Sequence, residues 1–85
     1  MDGKITWVPV DISEGMFSNE YAVSLKNDEG LSLSFYVDKE LIKKEKDKNF
    51  LKVIRVHLDE KKGKQTILLP SETFETSSRW VNISI

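Results

Sequence analysis

The chain has 85 residues, of which 32% are charged and 39% hydrophobic, and its formal net charge is −1. That is the size of one small domain with a thin core. The absence of cysteine excludes disulfide staples, thiol chemistry and thiolate metal sites.

No apolar run approaches the roughly 20 residues of a membrane-spanning helix. The N-terminal MDGKITWVPV lacks the apolar centre of a secretory signal. The expectation is one cytoplasmic β domain over residues 1–85, with no membrane partner. Asn82-Ile83-Ser84 fits a glycosylation sequon and is read here as chance. Charge is unevenly placed. Residues 1–38 hold seven acids against Lys4 and Lys26, while residues 39–64 hold nine Lys and Arg55 against five acids. Such asymmetry marks either an anion-binding surface or two halves that complement each other on a mixed surface.

Lys4 to Ile12 reads as the first strand, with Thr6, Val8, Val10 and Ile12 in one row. Ile5, Trp7, Pro9 and Asp11 form the other row. Pro9 lacks a donor N–H, which predicts an edge or a bulge. Residues 13–20 read as an ordered loop whose Met16 and Phe17 fold over an open end of the core.

Tyr21 to Val37 is the clearest element. Tyr21, Val23 and Leu25 alternate with polar or small residues, as do Leu31, Leu33, Phe35 and Val37 after Asn27-Asp28-Glu29-Gly30. A type I turn with Gly30 at positive φ predicts a G1-bulge hairpin. Its register pairs Leu25 with Leu33, Val23 with Phe35 and Tyr21 with Val37. A lone hairpin is marginal in water, so the rest of the chain must cover its apolar face.

Lys39 to Asn49 carries Leu41 and Ile42 as its only apolar residues. Asp38 is placed to cap a short helical turn, with Glu40 and Lys44 as an i,i+4 pair. A helical turn followed by a mobile, solvated loop is the expectation. Phe50 to Asp59 reads as a strand with Ile54, Val56 and Leu58 as its apolar row. Glu60-Lys61-Lys62-Gly63 is a second turn, and Lys64 to Leu69 returns. A three-residue loop pairs Val56 with Leu68; a four-residue loop pairs Val56 with Ile67, and the slip exchanges faces. Pro70 ends the strand, Ser71 can cap a single turn, and Phe74 is expected to tuck in. Arg79 to Ile85 is the last strand, with Val81, Ile83 and Ile85 inward.

Six short strands with two tight hairpins predict an all-β fold: a small antiparallel barrel or a compact sandwich. The order strand, long loop, hairpin, charged loop, hairpin, turn, strand is similar to that of the SH3-like small barrels. LPSETFE resembles the short turn those barrels carry before their last strand. The likeness is one of topology over the whole chain. The acidic ligand loop and paired aromatics of the peptide-binding SH3 family are not recognisable, so it implies no binding residue. An OB-like barrel is the alternative architecture.

Chemistry is sparse. His57 is the only histidine, which with no cysteine leaves no multi-ligand metal site. An Arg55–His57–Asp59 row has acid–base types, and equally reads as a solvated strand face. No serine lies in a nucleophile elbow and no glycine loop fits phosphate. The expectation is a non-enzymatic protein without cofactor or metal. Two binding readings remain. In the first, Trp7, Tyr36 and Trp80, with Ile5, form an outer aromatic patch for a protein partner or for self-association. First and last strands are expected to be neighbours, which would set the two tryptophans side by side. The competing reading buries those rings under the loops at 13–20 or 70–78. In the second, Lys43, Lys44, Lys52, Arg55, Lys61, Lys62 and Lys64 line a nucleic-acid face, with Lys46 and Lys48 and with Tyr36 or Trp80 as stacking platforms. The pI of about 5.8 and the acids among these lysines oppose it.

Overall fold

Seven antiparallel strands follow one another in the computed structural model, which describes residues 3–85. They are β1 (Lys4–Glu14), β2 (Glu20–Lys26), β3 (Ser32–Asp38), β4 (Ile42–Glu45), β5 (Lys48–Asp59), β6 (Lys64–Leu68) and β7 (Trp80–Ser84). A 3₁₀ turn at Lys39–Leu41 joins β3 to β4. The strand order is β3-β2-β1-β5-β6-β7, with β4 on a further stretch of β5. The sheet curls into a half-barrel whose outermost strands, β3 and β7, do not pair.

The hairpin forms in the expected register, Leu25 with Leu33, Val23 with Phe35 and Tyr21 with Val37. Asn27 supplies the turn chemistry. Its carbonyl oxygen accepts from Gly30 N–H, its side-chain Oδ1 accepts from Glu29 and Leu31 N–H, and Gly30 sits at φ 82°. Leu31, expected in the apolar row, lies beyond the strand and is exposed. Val23, Leu25, Leu33, Phe35 and Val37 face Val8, Val10, Leu51, Val53, Ile67, Leu69, Val81 and Ile83 in one buried cluster. That cluster is the cover the hairpin required.

β1 joins the two halves of the sheet. Its Lys4–Val10 part pairs with β5, and its Asp11–Glu14 part pairs with β2. Gly15 N–H donates to Glu20 O in the same register, so odd-numbered residues of β1 aim their backbone groups at β2 and even-numbered ones at β5. Pro9 falls two residues past Asp11, the last residue paired with β2. It has no N–H to offer in that direction and removes nothing from the ladder to β5. The sheet splits at Pro9, and the split allows the curl.

Several expectations from sequence are corrected. β1 and β2 stay in register as far as Gly15 and Glu20, so residues 16–19 make a tight turn with no reach to the core. Met16 and Phe17 stand in solvent. The charged run is no solvated loop. Ile42–Glu45 pairs with Lys48–Leu51 around Lys46-Asp47, with Lys46 at φ 53°. A strand bordering only one neighbour needs no apolar row, and lysines suit it. Asp38 makes no side-chain cap, and Lys43 pairs with Glu45 at 2.9 Å where a Glu40–Lys44 pair was expected. In β5 the buried row is Leu51 and Val53, and Ile54 faces outward. The four-residue loop holds near the turn, with Leu58 opposite Gln65 and His57 opposite Thr66. A bulge at Val56 then shifts the register, so Arg55 meets Ile67 and Ile54 meets Leu68. Segment 70–78 forms an irregular turn in which Thr73 is buried and Phe74 is exposed. The last strand ends at Ser84. Ile85 N–H is bound to Gly63 O, but its side chain lies in solvent.

Candidate functional site

The outer face of the sheet carries a continuous apolar row. Ile5 pairs with Ile54, Ile54 with Leu68, and Leu68 with Trp80, so one cross-strand line runs over β1, β5, β6 and β7. Directly paired residues share a face, and this face is opposite the core. Ile5 is 64% exposed, Ile54 41% and Trp80 51%. Trp7 lies in the next row, paired with Lys52, and is 39% exposed. Beyond it Pro9 pairs with Phe50 and Phe50 with Lys43. Lys43 Nζ stands 5.6 Å from the centre of the Trp7 ring.

A shallow cavity of about 430 Å³ opens on this face. It sits where β4 has ended and β6 has not begun along β5: β4 pairs as far as Leu51 and β6 starts at Ile54. Ile5, Ile54 and Leu68 of the apolar row line it together with Leu41, Pro70, Lys52 and Arg79. Arg79 Nε donates to Leu69 O at 2.8 Å. Among the described residues no carboxylate forms a salt bridge with Lys52 or Arg79. The site is therefore an apolar row between two tryptophans with a cationic rim.

Trp7 and Trp80 share this face but are not side by side. β5 and β6 stand between their strands, a separation of roughly 14 Å at ordinary strand spacing. The expected adjacency of first and last strands fails because β1 is taken up by β5. Tyr36 belongs elsewhere. It lies on β3 with its ring edge-on to Phe74, 5.4 Å between centroids at 76°, and its carbonyl accepts from Ser71 Oγ. The 70–78 segment covers Tyr36 rather than either tryptophan.

The basic residues are dispersed. Lys46 and Lys48 lie at one end of β5 and Lys61 and Lys62 at the other, about 35 Å apart for a strand of this length. Lys64 pairs with Asp28 at 3.2 Å. Lys44 lies 5.0 Å from the Tyr21 ring centre. Arg55 opposes Ile67 and so turns to the inner side. That same bulge separates Arg55 from His57, which is exposed and opposite Thr66, so no Arg55–His57–Asp59 row forms.

A second polar cluster closes the edge of β3. Ser34 N–H donates to Glu75 Oε1 at 2.7 Å, Ser34 Oγ to Glu75 Oε2 at 2.5 Å, and Phe74 N–H to Ser34 O at 2.9 Å. The Ser34 hydroxyl, then the Ser34 N–H, hold the Glu75 carboxyl below its usual pKa. Thr73 Oγ1 shares a 2.6 Å hydrogen bond with Thr76 Oγ1 and so satisfies its buried hydroxyl. Sequence reasoning found Trp7, Ile5 and Trp80 but missed Ile54, because the Val56 bulge reverses the face. It also missed Ser34 and Glu75, for which no local pattern exists.

No protein-family model, curated protein or solved structure matches this chain.

Proposed function

We propose that the chain is a small non-enzymatic β module that binds a protein partner through Ile5, Trp7, Ile54, Leu68 and Trp80. The observation that carries this reading is the solvent-open apolar row across four strands. Scattered apolar residues are ordinary on a surface, whereas a contiguous patch bearing tryptophans is a recurrent feature of interfaces. Lys52 and Arg79 at the rim favour a partner with acidic residues around an apolar anchor. The absence of cysteine accords with a cytoplasmic setting, and the two-hairpin order with an SH3-like small barrel.

Trp80→Ala tests it. The immobilised chain should retain one or more proteins that the variant releases, while the denaturation midpoint shows a stability change below about 1 kcal/mol. Retention of the same proteins by the folded variant would remove this face from consideration. Unfolding by Trp80→Ala would make the ring part of the core.

A second reading uses the same face. Lys43, Lys52 and Arg79 lie with two tryptophans, an arrangement that also suits single-stranded nucleic acid, with rings stacking on bases and cations on phosphates. Its affinity would fall steeply with salt. An oligonucleotide titration at two ionic strengths separates the readings: a salt-sensitive complex supports nucleic acid, and no complex at low salt leaves the protein partner.

A further inference from the structure

We propose that the N-terminal half of β1 is a self-association edge, at which two copies of the chain pair antiparallel about Thr6. The inference goes beyond the outer-face reading and does not rest on it.

The edge is open by construction. Odd-numbered residues of β1 aim their N–H and C=O groups away from β5, so Ile5 and Trp7 present both groups on the side where β2 would lie. β2 does not reach them. Continued in register, the β2–β3 hairpin would bring Asp28 opposite Trp7. Asp28 N–H is instead bound to Asn82 O on β7 at 2.8 Å, and its carboxylate to Lys64. The hairpin tip is thus drawn across the mouth of the half-barrel and away from β1. Clefts of about 380 Å³ and 230 Å³ remain around Pro9, Leu25 and Lys26, where the two strands diverge.

Of the other edges, the outer side of β4 carries the charged Lys43, Lys44 and Glu45, and β3 and β7 are partly capped. Glu75 and Phe74 occupy the outward N–H and C=O of Ser34 on β3, and Ser71 the outward carbonyl of Tyr36. On β7, Asn82 O accepts from Asp28, and Trp80 N–H donates to Ser78 Oγ at 3.1 Å. Unpaired strand edges template pairing with another chain unless blocked. Among the described residues, β1 presents two successive outward residues, Ile5 and Trp7, that carry both open backbone groups and exposed apolar side chains, whereas on β7 only Trp80 is an exposed apolar residue and its N–H is already taken.

A second copy fits this edge by symmetry. Ile5 and Trp7 lie on either side of Thr6, so an antiparallel two-fold pairing lets Ile5 of each copy exchange both backbone hydrogen bonds with Trp7 of the other. A register centred one residue later would set Ile5 opposite Pro9, which cannot donate. The two-fold pairing places Ile5 beside Trp7 of the second copy on the outer face, and the Thr6 residues opposite each other. A net charge of −1 offers little repulsion between copies.

The test is sedimentation equilibrium of the full chain from roughly 1 µM to 1 mM, with wild type and Ile5→Pro compared. The mass should rise from 9.8 kDa toward twice that value. Ile5→Pro removes an outward N–H and leaves the β5 ladder whole, as Pro9 does. It should weaken the dimer about tenfold or more, the effect of losing hydrogen bonds of ordinary worth. In parallel, exchange of the Ile5 and Trp7 amides should slow as concentration rises, while Ser34 is unaffected. A constant monomer mass, a dimer indifferent to Ile5→Pro, or exchange at Ile5 and Trp7 independent of concentration would each overturn the proposal. Should Ile5→Pro fail to fold, the exchange series decides alone.

Discussion

β3 and the N-terminal half of β1 are both strands with one unpaired side, and the chain treats them in opposite ways. On β3 the outward backbone groups of Ser34 and the carbonyl of Tyr36 are taken by Glu75, Phe74 and Ser71. On β1 nothing takes those of Ile5 and Trp7 among the described residues. The difference shows what the 69–79 connection is for. It leaves β6, the strand next to the β7 edge, crosses to β3 at the other edge, and returns to start β7. It is a strap, rooted by Leu69 and Thr73, that protects one edge from strand addition.

The largest expected effect comes from cutting the root of the strap. Leu69 is fully buried, and Leu69→Ala should cost about 2–5 kcal/mol in chemical denaturation. A loss below about 1 kcal/mol would mean the strap is not anchored in the core. Thr73→Ala should cost about 1–2 kcal/mol, because it removes the buried Thr73 hydroxyl and its hydrogen bond to Thr76. No change there would show the pair to be incidental.

The pH dependence of the capped edge comes next. The pKa of Glu75 is lowered in the folded state, so its contribution is present above the unfolded carboxyl pKa and is lost as pH falls through the folded one. Loosening of the β3 edge is therefore expected only in the acid range, below the ordinary carboxyl pKa. It would be seen as faster Ser34 exchange than base-catalysed scaling predicts, and Glu75→Gln should remove the pH step. A step that persists in Glu75→Gln belongs to another carboxylate. The smallest effect is expected at the open edge. Ile5→Pro should change monomer stability by about 0.5 kcal/mol or less. The same substitution at Ser34 should be plainly destabilising, since it evicts Glu75.

The two edges also mark where sequence reasoning succeeds. The hairpin was legible because strict alternation and a turn with Asn27 and Gly30 agree on one register. Pro9 announced an interruption of pairing, although not that the ladder to β5 would continue past it. β4 was illegible because a strand with one neighbour needs no apolar row, and its lysines read as a solvated loop. The face of β5 was misread because one extra residue, Val56, reverses the inward set. Trp7 and Trp80 were found on the outer face from alternation alone, yet their separation depends on strand order, which no local pattern encodes. The Ser34–Glu75 contact spans 41 residues and has no periodic signature at all.

Amide exchange of the dilute monomer, read at Ser34 and Trp7, tests the contrast most directly. Ser34 N–H, bound by Glu75, should exchange slowly at neutral pH, and Trp7 N–H should exchange at nearly the rate of an unstructured chain. Equal protection of the two amides in the monomer would contradict an open β1 edge beside a capped β3 edge.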